Sequence, residues 1–318
     1  MPPSDIVIAT WWETAEWVDA LDASKGQKCY FVQGHEVYSW LPQERSRGTY
    51  RLPLRKIVVS EWLKHIMELE YGDLTVDVVP NAVDHSIFNA PPRSKQNRPT
   101  VGLLYSSTPT KATDVALRTL ESLRHRLPEL RVLAFGLEDP NPPLPSHIDF
   151  SGDPSLKTIS RIYRECDVWL TASRSEGFNL TAMEAMACRT PVVATQTGWP
   201  AEAIVQGVNG ACVPVDDIAA LERETERRRQ CLRERGLADA RQVLDQQVAA
   251  RDQAGECEAD RMRRADDDGL DLGDEPRQQV GLCDRRHDVR SRIGDMLESG
   301  GRLRRGHRMA MMKDKSID

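Results

Sequence analysis

The chain has 318 residues, which is long enough for two domains, and a net charge of -6, which argues against a nucleic-acid partner. It contains no run of eighteen apolar residues, so the sequence predicts no membrane-spanning helix. The seven cysteines are scattered singly without a C-x-x-C pair. This pattern favours a reduced, cytoplasmic protein with buried thiols and without a metal site.

The aromatic residues divide the chain. All eighteen lie at or before Trp199, whereas the last third is dense in Arg, Asp, Glu and Gln and has little with which to build a core. Three prolines mark a linker between two more apolar regions. We therefore expect a partial α/β domain at residues 1–90, a linker at 91–99, an α/β domain at 100–217, and a polar tail at 218–318 that is disordered or weakly helical.

The first ninety residues alternate strand and helix patterns. Short apolar, β-rich runs at 5–9, 29–33 and 57–60 predict strands, and amphipathic spacing predicts helices at 14–21 and 61–71. Such alternation is typical of α/β domains with parallel sheets.

A basic stretch runs from Arg45 to Lys64 within this first region. Its cations are Arg45, Arg47, Arg51, Arg55, Lys56 and Lys64. Such a run is usually a solvated face. The alternative is a surface that docks on anionic lipid headgroups.

The second region continues the alternation. Strands are predicted at 100–104, 131–136 and 147–152, with helices at 111–127 and 155–166. Then follow a strand at 167–171, a helix at 180–188 and a strand at 191–195, which form one βαβ step of a parallel sheet. Ligands of such sheets bind at the carboxyl ends of strands, against helix N-termini, so we expect a binding loop at 173–181.

Two glutamates bracket this loop and its helix, Glu176 and Glu184, with seven residues between them. A carboxylate on the loop can accept hydrogen bonds from sugar hydroxyls, and one a turn into the helix can accept two from a ribose. Backbone N–H groups at the helix start can bind a phosphate or a sugar oxygen. They belong to Gly177, Phe178, Asn179, Leu180 and Thr181. The alternative is two solvated surface glutamates beside a tight turn.

The stretch E-G-F-N-L-T-A-M-E-A-M-A-C-R-T-P-V-V-A-T, followed by G-W-P-A-E-A-I and G-V-N-G-A-C-V-P-V-D-D, resembles the E-x7-E donor-site signature of the retaining GT-B glycosyltransferases of family four. The resemblance implies two Rossmann-like domains, a largely complete donor domain at 100–217 and a partial acceptor domain at 1–90. It also implies that Glu176 contacts the donor sugar and Glu184 the ribose. Asn179 and Arg189 stand where the family more often has glycine.

The same resemblance bears on the diphosphate. Lys111 aligns with a lysine that holds the diphosphate in the family, whereas Leu103 occupies the place of a partner arginine. Arg174, close to the glutamate loop, is a candidate for the missing cation. The resemblance implies no metal and no cofactor besides the nucleotide diphosphate sugar itself as co-substrate.

His35 is a candidate catalytic residue on the acceptor side. The stretch Y-F-V-Q-G-H-E-V-Y resembles the acceptor domain of a family-four subgroup. Placed in a cleft, His35 or the adjoining Glu36 could orient or deprotonate an acceptor hydroxyl. The alternative is a structural histidine.

The function implied by the resemblance is transfer of a sugar from a nucleotide diphosphate sugar to an acceptor hydroxyl with anomeric retention, in synthesis of cell-envelope polysaccharide or glycolipid. The partners would be the donor and a glycan or lipid-linked acceptor, in the cytoplasm or at the inner face of the membrane. The alternative is a nucleotide-sugar-binding remnant without turnover, to which the residue at Leu103 and the short first domain point.

Overall fold

The computed structural model describes residues 2–92, 96–231 and 309–312. In chain order the strands are β1 (Ile6–Ala9), β2 (Gln27–Val32), β3 (Arg55–Val58), β4 (Asp77–Val78), β5 (Thr100–Leu104), β6 (Arg131–Gly136), β7 (Ile148–Gly152), β8 (Val168–Thr171), β9 (Val192–Thr195), β10 (Gly210–Val213) and β11 (Met309–Met312). The helices are α1 (Trp12–Asp19), α2 (Gln43–Thr49), α3 (Glu61–Tyr71), α4 (Thr113–Arg126), α5 (Leu156–Glu165), α6 (Leu180–Ala187), α7 (Pro200–Ala203) and α8 (Ile218–Cys231). This alternation confirms the predicted α/β class.

The strands form two sheets, and their named pairings are parallel. The first sheet has the order β11-β1-β2-β3-β4, and the second has the order β10-β9-β8-β5-β6-β7. In the second sheet the chain runs outward from β5 to β7 and then returns to the other side of β5 with β8. The carboxyl ends of β5 and β8 therefore flank a topological switch point, where ligands of open parallel sheets bind.

The strands β5, β6, β8 and β9 of the second sheet are buried almost throughout, as their apolar residues require. One face carries Leu103 and Leu170, which pack with the helix residue Leu120. The other face carries Trp169, whose ring lies edge-on to the fully buried ring of Tyr163 at 4.7 Å. The loops after β5 and β8 therefore start from buried strands.

The packed region extends beyond Asp217. Helix α8 follows directly, its Leu221 is fully buried in the core of the second sheet, and Arg126 on α4 pairs with Glu222 and Glu226. The polar tail predicted from residue 218 thus begins with a packed amphipathic helix. The sequence does not predict it, because the last third of the chain is polar on average. Residues 309–312 also depart from the expectation, since they pair with β1. The rest of the predicted tail lies outside the described residues.

The two sheets belong to one compact unit, and they touch at their carboxyl edges. The Ser60 hydroxyl, at the start of α3, donates a 2.7 Å hydrogen bond to the Gly177 carbonyl in the loop after β8. Among the helices that the structure describes, none combines the length and the apolarity needed to cross a bilayer.

Candidate functional site

Lys111 and Glu176 meet at the switch point of the second sheet. Lys111 ends the short turn Pro109–Lys111 after β5, and Glu176 lies in the loop after β8. The Lys111 Nζ lies 2.8 and 2.9 Å from the two carboxylate oxygens of Glu176. Glu176 is 7% exposed, whereas Lys111 is 32% exposed, so the ammonium is the half of the pair that faces solvent. Two residues 65 positions apart thus form one charged site.

The Glu176 carboxylate is held before any ligand arrives. The Ser173 hydroxyl donates a 2.7 Å hydrogen bond to Oε1, and the Glu176 amide donates to the Thr197 hydroxyl at 3.0 Å. Such preorganised acceptors need little rearrangement when a hydroxyl group approaches.

Asn179 begins helix α6 with φ at 80°, a left-handed conformation that glycine or asparagine accepts and most residues avoid. Its Oδ1 accepts from the Ala182 amide and the Thr181 hydroxyl, and its Nδ2 donates to the Thr171 hydroxyl. The side-chain amide is therefore committed to the helix cap. Arg189, the second position where the resemblance has glycine, also has a positive φ, 59°.

The start of α6 is open to solvent. Leu180 is exposed there, and the first amides of a helix have no acceptor within the helix. The N–H groups of Leu180 and Thr181 therefore have no acceptor within the helix, and whether they bind an anion stays a prediction. Phe178, in contrast, is buried and stacks on Trp199 with a centroid separation of 5.2 Å, so its side chain anchors the loop.

Glu184 lies one turn into α6 and is half-buried. The Tyr163 hydroxyl donates a 2.7 Å hydrogen bond to its Oε2. Burial raises the pKa of Glu184, and the hydrogen bond from Tyr163 opposes that rise. Nothing in the sequence marks Tyr163, because a buried aromatic residue on an amphipathic helix is indistinguishable from an ordinary core residue.

The structure gives Arg174 other partners. Its guanidinium contacts Asp216 at 2.9 Å and Asp114 at 3.3 Å, and donates to the Pro109 carbonyl. These pairs raise the pKa of Arg174. Arg174 is therefore committed to carboxylates, and Leu103 is buried in the core as expected of a strand residue.

The first sheet reaches the glycine loop at the end of β2. A Cβ atom on Gly177 would overlap the carbonyl oxygen of Gln33, so the two backbones cross in contact. Together with the hydrogen bond from Ser60, this crossing places the loop after β2 beside Glu176. Gln33 and Ser60 cannot be recognised from the sequence, because no local pattern indicates a contact between distant segments of backbone.

His35 packs against other side chains of the first region. Its Nε2 lies 2.6 Å from the Tyr71 hydroxyl and 3.8 Å from the Glu70 carboxylate, and its ring lies against Tyr50. Burial lowers the pKa of His35. Within the part of the chain that the structure describes, the hydrogen bond, ion pair and ring contacts of His35 go to these three residues, and none of them joins His35 to Glu176 or Lys111.

Glu36 and Tyr38 follow His35 and differ from it. Glu36 is 4% exposed and accepts from the Trp12 amide at 2.9 Å and the Tyr30 hydroxyl at 3.3 Å, and burial raises its pKa to about 8. Burial also raises the pKa of Tyr38 to about 12, with further contributions from the charges of Glu36 and Glu176. Tyr38 is thus a side chain of the first region that lies within electrostatic range of Glu176, and sequence analysis gave it no role.

The basic stretch is largely neutralised by the fold. Arg45 pairs with Glu16, Arg47 with Glu70, Arg55 with Asp77, and Lys56 with Asp73. These ion pairs favour the interpretation of the basic stretch as an ordinary protein surface. Among the described residues there is no cluster of three or more His, Cys, Asp or Glu side chains suited to a metal ion.

Comparison with solved structures defines the class of fold. The chain superposes on a complex of Anabaena HepE with UDP and glucose (TM-score 0.61, 16% identity, covering 80% of this chain and 77% of that one). It also superposes on a sucrose-phosphate synthase from Thermosynechococcus elongatus (TM-score 0.57, 16% identity, covering 80% and 74%). The parallel-sheet, Rossmann-like architecture is that of GT-B glycosyltransferase structures.

Sequence comparison supports the same class for the second region. Residues 98–228 match the family described as Glycosyl transferases group 1. The chain is 32% identical over 165 residues to a D-inositol 3-phosphate glycosyltransferase of Mycolicibacterium smegmatis, covering 45% of this chain and 37% of that protein. It is 43% identical over 92 residues to a lipopolysaccharide core biosynthesis mannosyltransferase of Rhizobium leguminosarum, covering 29% and 24%. The chain thus spans well under half the length of these curated relatives.

Proposed function

We propose that the protein transfers a sugar from a nucleotide diphosphate sugar to an acceptor hydroxyl with retention of anomeric configuration. The observation that carries the proposal is the meeting of Lys111 and Glu176 at the switch point, beside the open start of α6. A site with a cation, buried acceptors and free amides suits a ligand that joins a diphosphate to a polyhydroxylated ring.

Each group has a distinct role in this proposal. Glu176 accepts hydrogen bonds from hydroxyls of the donor sugar, and Glu184, held by Tyr163, accepts them from the ribose. The ammonium of Lys111 and the first amides of α6 bind the diphosphate. Because Glu176 already binds the ammonium, a bound donor would share Lys111 between the carboxylate and the phosphates.

The reaction breaks the bond between the anomeric carbon and the diphosphate oxygen and forms a bond from that carbon to the acceptor oxygen. The acceptor proton passes to the leaving phosphate on the same face, which preserves the configuration. Lys111 and the helix N-terminus stabilise the charge that develops on the diphosphate, without a metal. Glu176 and His35 were the predicted catalytic residues, and of these we assign a contact with the sugar to Glu176.

The acceptor is proposed to be a glycan or a lipid-linked saccharide of the cell envelope. The resemblance to the lipopolysaccharide core mannosyltransferase supports this class of acceptor, and the HepE complex supports a uridine nucleotide in the donor. Cytoplasmic location, with or without peripheral contact to the inner membrane, belongs to the same proposal.

A second candidate is a module that binds nucleotide sugars without turnover. The commitment of Arg174 to Asp114 and Asp216 favours it, because Lys111 then lacks the second cation that the resemblance implies. The two candidates differ in whether bound donor is consumed.

Incubation of the full chain with labelled nucleotide diphosphate sugars and a panel of glycan acceptors separates them. The first candidate predicts release of nucleoside diphosphate and a product whose anomeric proton coupling matches that of the donor. Inversion of the coupling would contradict retention, and binding without release would favour the second candidate. Unchanged turnover in excess EDTA is expected, and its loss would contradict the metal-free mechanism.

A further inference from the structure

We propose that the stacked rings of Trp40 and Tyr38 form a platform that binds the pyranose ring of the acceptor, a role that rests on the proposed function. Trp40 and Tyr38 lie parallel, with centroids 4.8 Å apart and an angle of 16° between the ring planes. Trp40 remains 49% exposed, so much of a large apolar ring faces solvent. The pair is called the aromatic platform below.

The position of the platform relates it to the donor loop. The Gln33–Gly34 backbone crosses Gly177, and a Cβ atom on Gly34 would lie 3.4 Å from the Tyr38 hydroxyl. Tyr38 therefore stands at the point where the first sheet meets the loop that carries Glu176, and the charge of Glu176 reaches its hydroxyl. Trp40 stacks on the ring of this tyrosine.

The chemistry of the platform fits a sugar ring. The faces of aromatic rings carry partial negative charge, and one face of a pyranose presents C–H groups of partial positive charge. A stacked sugar keeps its hydroxyls at the rim of the ring, where they can still donate and accept hydrogen bonds. A stiff aromatic pair costs little side-chain entropy on binding, because Tyr38 already restricts Trp40.

Trp17 supplies a matched control. It is 47% exposed on α1 and, among the described residues, it has no stacked ring partner. Its area is therefore similar to that of Trp40, but it lacks both the stack and the link to the donor loop.

The test uses the full chain with its donor site filled by excess uridine diphosphate. Saturation-transfer NMR is recorded with methyl α-D-mannopyranoside, and with mannitol as a linear polyol that has similar hydroxyls but no ring. We expect transfer to the ring C–H protons of the glycoside, several-fold weaker transfer to mannitol, and a loss of at least about fivefold in Trp40→Ala. Trp40→Phe should retain part of the signal and Trp17→Ala all of it.

The other outcomes overturn the proposal. Transfer that is equal in Trp40→Ala and the parent, or absent in the parent, removes the platform as a sugar site. Uridine diphosphate is titrated into each variant in parallel, and a similar loss of nucleotide affinity in Trp40→Ala would place the nucleotide, instead of the acceptor, on Trp40. Failure of the parent to bind any nucleotide would contradict the proposed donor site, and that result is distinct from the sugar result.

Discussion

Two buried glutamates, one beside each sheet, show how the two regions of the molecule differ. Glu176 follows β8 and is held by the ammonium of Lys111, whereas Glu36 follows β2 and is held by an amide and a tyrosine hydroxyl, both neutral. Desolvation without a cation raises the pKa of Glu36 to about 8. Burial of a carboxylate therefore does not by itself indicate a charged site. The difference between the two glutamates lies in whether the group that holds the carboxylate is charged or neutral.

The regions also differ in how their residues reach the site. In the second region, loops after β5 and β8 deliver Lys111 and Glu176 through the sheet topology. In the first region, the chain reaches the site by a backbone crossing at Gly177 and a hydrogen bond from Ser60. The site around Lys111 and Glu176 is thus built by the second sheet itself, and the contribution of the first region depends on contact between the two regions.

Gly177→Ala should break that contact and has the largest expected effect. The new Cβ overlaps the Gln33 carbonyl, and a backbone atom cannot move aside as a flexible side chain can. We expect a loss of about 3 kcal/mol in the free energy of unfolding, the upper part of the range for overpacking. Gly48→Ala is the control, since its Cβ meets nothing within 4 Å and it lies within α2. Chemical denaturation measures both, and equal stabilities would refute the crossing.

Replacing Glu176 and Glu184 should separate binding from turnover if they have the roles proposed above. Glu184→Ala is expected to weaken nucleoside diphosphate binding by about 1.5–3 kcal/mol, the value of a charged hydrogen bond, whereas Glu176→Ala should mainly reduce turnover. Calorimetric titration and nucleotide-release assays measure the two effects. Parent-like affinity in Glu184→Ala would show that its carboxylate does not contact the ribose.

Glu36→Gln tests the difference between the two glutamates through the pH dependence of the free energy of unfolding. The folded-state pKa of about 8 lies above the ordinary value of 4.5, so protonation of Glu36 favours the folded state. This contribution is complete below pH 4.5 and is lost as pH rises through about 8, with a slope of about 1.4 kcal/mol per pH unit between the two values. Glu36→Gln removes the slope, so the variant should gain stability relative to the parent as pH rises from 5 to 8.

Denaturation curves across that pH range test this prediction. Glu44→Gln, in which the replaced side chain is 96% exposed, serves as control and should follow the parent. A stability difference between Glu36→Gln and the parent that does not change with pH would contradict the buried, protonated carboxyl.

Tyr163→Phe should give the smallest effect. The ring keeps its packing against Trp169 and Phe135, and only the hydroxyl that holds Glu184 is lost. We expect about 1 kcal/mol less affinity for a nucleoside diphosphate. Because the hydroxyl favours the ionised carboxylate, the loss should shrink as pH rises. An affinity loss that is the same at all pH values would contradict this positioning role. So would an equal affinity loss when Tyr163→Phe is introduced into the Glu184→Ala variant.

The sequence predicts the second region well, for physical reasons. Apolar strands of a doubly covered sheet are recognisable locally, and the order of elements places Lys111 and Glu176 at strand ends. Tyr163, Tyr38 and Ser60 escape prediction because their roles arise from contacts with distant residues. The sequence around Arg174 predicts no ion pair for it. In the structure its guanidinium pairs with Asp114 and Asp216, which lie far apart along the chain. The helix α8 is hidden by the polar composition around it.

In the proposed function, Lys111 and the start of α6 bind a diphosphate at the switch point. The direct measurement is calorimetric titration of the parent and Lys111→Ala with uridine, adenosine and guanosine diphosphates and with the matching nucleosides. Our account predicts that Lys111→Ala loses at least about tenfold in affinity for the preferred diphosphate and little for its nucleoside. Equal losses for diphosphate and nucleoside, or none for either, would contradict it.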